Sequence, residues 1–274
     1  MITYETKETL LLVEGINKKY DVPVLRDISL EIKNLTRADM KQGQIVSLVG
    51  KSGSGKSTLF RILAGLEKAD SGNVKVCSGI ITEKEPDGEM RSVKEGNMGV
   101  VFQNSYIYTW RKVKSILDKA ERRAKREKNP NIIPVDQLSE SLDIQKLMDK
   151  YPSQLSGGQR QRVALAEQLI GGSESILLDE PFSGLDTLAI DKVTKILSEV
   201  VLTDDRKTLV IVSHDLSNSL AISDTAFILA KEEGKDGATI THKICLATEG
   251  LAWQPDIKEN PKFRELLNIV KSLL

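Results

Sequence analysis

Short apolar runs that end in glycine or in charged residues alternate along this chain with stretches whose apolar residues recur at helical spacing. The alternation predicts an α/β fold, with buried parallel strands feeding helices. Residues 10–14 and 28–32 predict two strands around a turn that contains Asp21 and Pro23, an antiparallel β element near the N-terminus. Residues 33–42 are polar and predict a loop insertion. Residues 45–49 form an apolar run closed by Gly50, the mark of a buried parallel strand. A helix opens at about Lys56, with Leu59, Ile62 and Leu63 on one face and Gly65 as its stop. Residues 74–76 and 98–102 predict further strands, separated by a charged stretch.

From about 113 to 151 the pattern changes. Residues 114–128 predict a basic helix, Asn129-Pro130-Asn131 a break, and residues 135–148 a second helix. Arg122, Arg123, Lys125 and Arg126 read as a solvated helix face. Another helix follows Gln159. Residues 175–178, 208–212 and 226–230 predict strands, and 231–237 a turn between strands. At the end, Asn260 predicts a helix cap, Pro261 a first helical position, and Phe263, Leu266, Leu267 and Val270 one apolar stripe. The expected organisation is a single domain over 1–274, with a helical subdomain at about 104–165 inserted in the core and a C-terminal helix at about 260–274.

Composition narrows the function classes. Apolar residues make up 40% and charged residues 28% of 274 residues, a balance that argues against disorder. Lys+Arg and Asp+Glu are both 39, so no global basic field recruits nucleic acid. Two cysteines, Cys77 and Cys245, and two histidines, His214 and His242, are too few for a Cys/His metal cluster. The polar, acidic N-terminus predicts no signal peptide, and no run of 18 apolar residues predicts a membrane span. The expected location is cytoplasmic.

Gly50-Lys51-Ser52-Gly53-Ser54-Gly55-Lys56-Ser57-Thr58 fits the pattern G-x-x-x-x-G-K-[ST], after a strand and opening a helix. Glycines let backbone N–H groups turn inward around phosphates, and the helix N-terminus adds positive potential. Lys56 is expected to reach the β/γ-phosphates, and the Ser57 hydroxyl to ligate Mg²⁺. Ile176-Leu177-Leu178-Asp179-Glu180-Pro181 delivers two adjacent carboxylates at a strand's C-terminal end. Asp179 suits the Mg²⁺ shell, and Glu180 suits a general base acting on water.

A second glycine-rich helix start, Leu155-Ser156-Gly157-Gly158-Gln159, continues as Arg160-Gln161-Arg162-Val163-Ala164-Leu165-Ala166. One bound ATP needs one such cradle, so a second makes sense if it serves a partner's γ-phosphate across a dimer. This pentapeptide resembles the signature of the ABC ATPases, and other pieces fall in that family's order. Val101-Phe102-Gln103 resembles its Q-loop, Ser183-Gly184-Leu185-Asp186 its D-loop, and Val212-Ser213-His214-Asp215 its switch-histidine segment.

The resemblance, over about residues 10–230, implies roles. Gln103 contacts Mg²⁺ or the lytic water, His214 bonds the γ-phosphate, and Tyr20 stacks on adenine. Ser156, Gly157, Gly158, Gln159 and Asp186 act on the partner's nucleotide. It implies a P-loop NTPase core, ATP and Mg²⁺ as ligands, and a homodimer or pseudo-dimer with a homologous ATPase. Separate transmembrane permease subunits, an extracytoplasmic substrate-binding protein and a position on the inner face of the cell membrane are the further expectations. Trp110-Arg111-Lys112-Val113, Tyr151-Pro152-Ser153-Gln154 and the tail 260–274 resemble importers of nitrate, sulfonate and taurine. The alternative is a soluble ATPase of the same type not linked to transport. The chain departs from the family's habit at Gly184, where alanine is usual, at Glu167-Gln168, where Arg-Ala is common, and at Asn218 and Thr225.

Overall fold

The computed structural model describes residues 4–37, 39–77, 90–103, 107–126, 132–171, 173–202 and 204–274. Asn129-Pro130-Asn131, and Asn104 to Tyr106 at the expected start of the helical subdomain, lie outside these residues. Among the described residues ten strands form one sheet, in the order β5-β4-β1-β2-β10-β9-β3-β8-β7-β6.

The sheet has two halves. On one side β1 (Tyr4–Lys19), β2 (Pro23–Arg37), β4 (Ser71–Cys77) and β5 (Met90–Ser92) pair antiparallel. On the other, β9 (Thr225–Lys231), β3 (Gln44–Val49), β8 (Thr208–Ser213), β7 (Ser175–Asp179) and β6 (Gly99–Val101) run parallel. β10 (Ala238–Cys245) joins them, antiparallel to β9 and touching β2 at Ala238 and Leu25. β3 and β8 are buried along their whole length. Their apolar runs show no alternation because both faces are covered.

Among the described residues three apolar clusters flank this sheet. α1 (Lys56–Leu63) packs Leu59, Phe60, Ile62 and Leu63 between the two halves. α2 (Val113–Arg126), α3 (Val135–Ser141), α4 (Gly157–Ile170) and α5 (Thr187–Val201) share a cluster with β6, β7 and β8. α4 is buried on several sides through Val163, Ala164, Leu165, Ala166, Leu169 and Ile170. α6 (Leu216–Ala221) and α7 (Pro261–Leu273) cover β9 with the segment between them, Phe263 and Val270 being the most enclosed residues of α7. Asn260 caps α7 by accepting the Lys262 N–H at 2.9 Å.

Two expectations change. Residues 33–37 continue β2 as strand instead of opening a loop. The helix expected over 135–148 stops at Ser141; Asp143 takes a left-handed φ of 51°, and a 3₁₀ turn follows at Gln145–Leu147. The expected subdomain boundary at 165 falls inside α4.

Candidate functional site

β3, β7 and β8 end at the same edge of the parallel sheet, and their following loops make the site. Open α/β sheets place ligands at the carboxyl ends of their strands. After β3, residues 50–55 loop into α1, whose N-cap is Gly55 at φ 89° with no side chain capping the helix. A Cβ on Gly50 would lie 2.5 Å from the Leu229 carbonyl oxygen and 2.8 Å from Ser54 Oγ, so glycine is required there. A Cβ on Gly55 would lie 2.9 Å from both Val24 and Leu25, which seats the loop against the start of β2.

Lys56 folds back over its own loop. Its Nζ donates to the carbonyls of Gly50 at 2.9 Å and Lys51 at 2.8 Å. Burial lowers the pKa of this ammonium, and the carboxylates of Glu180 and Asp179 act in the opposite direction. Ser54 Oγ is buried with no hydrogen-bond partner among the described residues. A buried hydroxyl left unsatisfied costs roughly 1–3 kcal/mol. An anion in the loop would relieve that cost and offer Lys56 a partner in exchange for its two carbonyls.

Asp179 closes β7. Burial first, and then the neighbouring Glu180, raise its pKa, while Arg61 and Lys56 lower it. Two adjacent carboxylates at a strand end make a place where added positive charge is favourable. Ser57 is exposed in the first turn of α1, and Gln103 is exposed beyond β6, its Nε2 donating to Ser183 Oγ at 3.1 Å. The donor types of Ser57, Gln103 and Asp179 suit Mg²⁺, which takes hard oxygen ligands and keeps part of its water.

Glu180 is the most constrained residue of the site. It has a left-handed φ of 49° ahead of Pro181. A residue held there costs on the order of 1–3 kcal/mol, and such strain persists only where the surroundings impose it. The surroundings here are β8 and its loop. The Glu180 N–H donates to the Val212 carbonyl at 2.8 Å. Ser213 Oγ donates to Oε2 at 2.7 Å, and the His214 N–H donates to Oε1 at 3.0 Å. His214 Nδ1 lies 2.7 Å from Oε1, within hydrogen-bond reach. The Glu180 side chain is 12% exposed and that of His214 56%, so the histidine forms the outer lip.

The remaining expected residues lie around this centre. Tyr20 sits in the β1–β2 turn, half exposed, with its hydroxyl bonded to Glu67 and Thr58. The Glu67 bond, more than burial, raises its pKa. Lys51, Ser52 and Gly53 are exposed on the loop. Ser156 and Gln159 form a reciprocal cap at the start of α4: Ser156 Oγ accepts the Gln159 N–H at 3.3 Å, and Gln159 Oε1 accepts the Ser156 N–H at 3.0 Å. Ser156 and Gly157 are exposed, and neither Gly157 nor Gly158 meets any atom closer than 3.6 Å where a Cβ would sit. Asp186 caps α5 by accepting the Ala189 N–H at 2.8 Å. No bond joins the Ser156–Gln159 pair to the loop at 50–58 among the described residues.

Sequence reasoning assigned no role to Ser183, Ser213 or Asp215. All three lie inside the quoted motifs; the partners of Ser183 and Ser213, Gln103 and Glu180, are far along the chain, whereas Asp215 bonds its neighbours Ser213 and Asn218. The departures also find contacts. Gln168 Oε1 accepts the Val100 N–H of β6 at 3.3 Å, and Asn218 bridges Asp215 and Lys258.

The family model described as ABC transporter matches residues 33–183. The probable sulfate/thiosulfate import ATP-binding protein of Chlorella vulgaris is 35% identical over 82% of this chain and 88% of its own length. The aliphatic sulfonates import ATP-binding protein of Pectobacterium atrosepticum is 34% identical over 86% of this chain and 79% of its own. The taurine import ATP-binding protein of a Jannaschia species is 28% identical over 94% of this chain and 91% of its own. In fold, the chain is similar to an ATP-binding cassette dimer in a post-hydrolysis state with ADP and Pi, at a TM-score of 0.62 and 24% identity over 86% of this chain and 99% of that one. It is also similar to cbiO1 from Clostridium perfringens, part of an ABC transporter complex, at a TM-score of 0.64 and 24% identity over 97% of this chain and all of that one.

Proposed function

Since the chain belongs to the ABC transporter family, we propose that it is the subunit that binds and hydrolyses ATP to energise transport of a small solute through separate membrane subunits. The similarity to sulfate, sulfonate and taurine import proteins supports small oxyanionic solutes as the transported class. No helix among the described residues is long and apolar enough to cross a membrane, and the path for the solute is assigned to separate chains.

The site residues are assigned as follows. Residues 50–58 cradle the phosphates, with Lys56 leaving the Gly50 and Lys51 carbonyls for the β/γ-phosphate oxygens. Tyr20 presents its exposed ring to adenine. Ser57, Asp179 and Gln103 would hold Mg²⁺, whose charge offsets that of the phosphate oxygens. Glu180 takes a proton from water at Oε1 as the water oxygen bonds the γ-phosphorus and the bond to the bridging oxygen breaks, giving ADP and phosphate. His214 turns from Glu180 to the γ-phosphate and in doing so frees that oxygen. Ser156 to Gln159 and Asp186 close over the nucleotide of a second ATPase chain. Membrane subunits dock on the exposed aromatics near Gln103, and a substrate-binding protein serves the far side. The subunit thus works on the inner face of the membrane.

The observation that carries this reading is the meeting of three strand ends. Lys56 feels the charges of Asp179 and Glu180, and Glu180 in turn holds His214 at 2.7 Å. Glu180→Gln keeps the shape but cannot take the proton. ATP should bind unchanged, and turnover should fall by about 10²-fold or more, as for loss of a positioned general base. Turnover at the parent rate would remove Glu180 from the mechanism.

A further inference from the structure

A carboxylate that acts as a base needs one oxygen held and the other open. Glu180 has both oxygens engaged, but by groups of different mobility. Oε1 faces the His214 ring Nδ1, on a side chain more than half exposed, and accepts the His214 backbone N–H at 3.0 Å, which also reaches Oε2 at 3.3 Å. Oε2 accepts from Ser213 Oγ at 2.7 Å, and Ser213 is fully buried at the end of β8. The same Oγ accepts the Asp215 N–H at 3.0 Å, so the hydroxyl proton has Glu180 as its acceptor. Asp215 in turn caps α6 through the Asn218 N–H at 3.0 Å. The chain of bonds therefore runs from the cap of α6 through Ser213 to one oxygen of the carboxylate.

We propose that Ser213 is a positioning residue that fixes Oε2 of Glu180, so that the departure of the His214 ring exposes Oε1 alone and aims it at water. The inference rests on Glu180 being the base. Three features give Ser213 this part. Its hydroxyl is the side-chain donor to Glu180 that stays when the histidine ring leaves, at a shorter distance to Oε2 than the His214 backbone N–H, which lies 3.3 Å from that oxygen. Its position in β8 is set by pairing with β7 and β3 on either side. Glu180 has a strained backbone tied to the Val212 carbonyl of β8, and the Ser213 hydroxyl ties its side chain to the end of the same strand. Misplacing a reacting group by an ångström costs orders of magnitude in rate without weakening substrate binding.

The test uses the full chain and compares Ser213→Ala, Ser213→Thr, Glu180→Gln and the double variant Ser213→Ala/Glu180→Gln. Steady-state ATPase assays supply kcat and KM, nucleotide titration supplies Kd, and thermal melting checks folding. Ser213→Ala should lower kcat by about tenfold or more with KM and Kd within about twofold, the pattern of an interaction needed only in the transition state. Ser213→Thr, which keeps the hydroxyl, should recover kcat to within about threefold of the parent. In the Glu180→Gln background the alanine change should cost nothing further, since the carboxylate it orients is gone. A folded Ser213→Ala chain with parent kcat overturns the proposal, as does the same fractional loss in both backgrounds. If Glu180→Gln alone keeps the parent rate, the base assignment fails independently of Ser213.

Discussion

Asp224 gives a prediction whose size follows from its surroundings. It is 1% exposed, immediately before β9. Its Oδ2 accepts the Ile45 N–H and its Oδ1 the Trp253 Nε1–H, both at 2.8 Å, so it pins the strand leading to the phosphate loop against the C-terminal segment. Burial pushes its pKa from 3.8 up to about 6, against the pull of those two donors and of Arg37. As the pH rises from about 4 to about 6, the unfolded chain releases this proton while the folded chain keeps it. The stability associated with Asp224 is therefore full below about pH 4 and lost as the pH passes the folded value. A separation of about two pKa units corresponds to roughly 3 kcal/mol. Asp224→Asn is neutral at every pH. It satisfies one of the two donors and opposes the other, which adds a pH-independent offset of roughly 1–3 kcal/mol. Urea unfolding of both chains at several pH values isolates the effect, because all other titrating groups cancel in the difference. Parent stability minus variant stability should fall by roughly 3 kcal/mol between pH 4 and pH 7. A difference that is flat with pH would refute the argument.

Two further perturbations reach the site and its surroundings. Gly50→Ala puts a methyl 2.5 Å from the backbone oxygen of Leu229, which β9 holds in place, so the phosphate loop itself must shift. ATP affinity should fall by about tenfold or more in a titration, with a stability loss of about 1–3 kcal/mol as for overpacking; parent affinity would mean that the loop is not the cradle. Trp110 is 72% exposed and packs edge-on to Tyr108 at 5.4 Å, whereas Ile107 packs inward and Tyr106 lies outside the described residues. Trp110→Asp should leave folding and ATP binding intact while weakening co-purification with the membrane subunits by over tenfold, as for a buried interface aromatic; undiminished co-purification places the docking surface elsewhere.

The α/β class was legible because β3, β7, β8 and β9 are short apolar runs buried on both faces. Where the reading missed, polar residues had turned inward. Asn34 and Thr36 are 2% and 5% exposed, so β2 continues to Arg37 through residues that read as loop. The second half of the expected helix at 135–148 is lost to a tertiary contact. Arg162 of α4 donates to the carbonyls of Leu142 and Asp143 at 2.8 and 3.2 Å, which stabilises the break. α5 went unassigned although Val193, Ile196, Leu197 and Val200 mark a helical face, since residues 183–186 before it were read only as a motif. At the site, the motifs supplied Lys56, Asp179, Glu180 and His214 as candidates. They could not supply Ser213 as the partner of Glu180, because that pairing spans 33 positions and depends on β7 and β8 lying side by side.

The central claim is that each ATP is hydrolysed between the 50–58 loop of one chain and the 156–159 cradle of another. Mixing two inactive variants tests it most directly. Lys56→Ala removes the phosphate lysine, and Gly158→Asp sets a carboxylate against the partner's γ-phosphate. In a mixed dimer one composite site carries both defects and the other carries neither. ATPase activity should therefore return when the two chains are combined, rising with the fraction of mixed dimer and approaching about half the parent rate per dimer for independent sites. Mixed dimers shown to form, yet as inactive as either variant alone, would contradict the shared site.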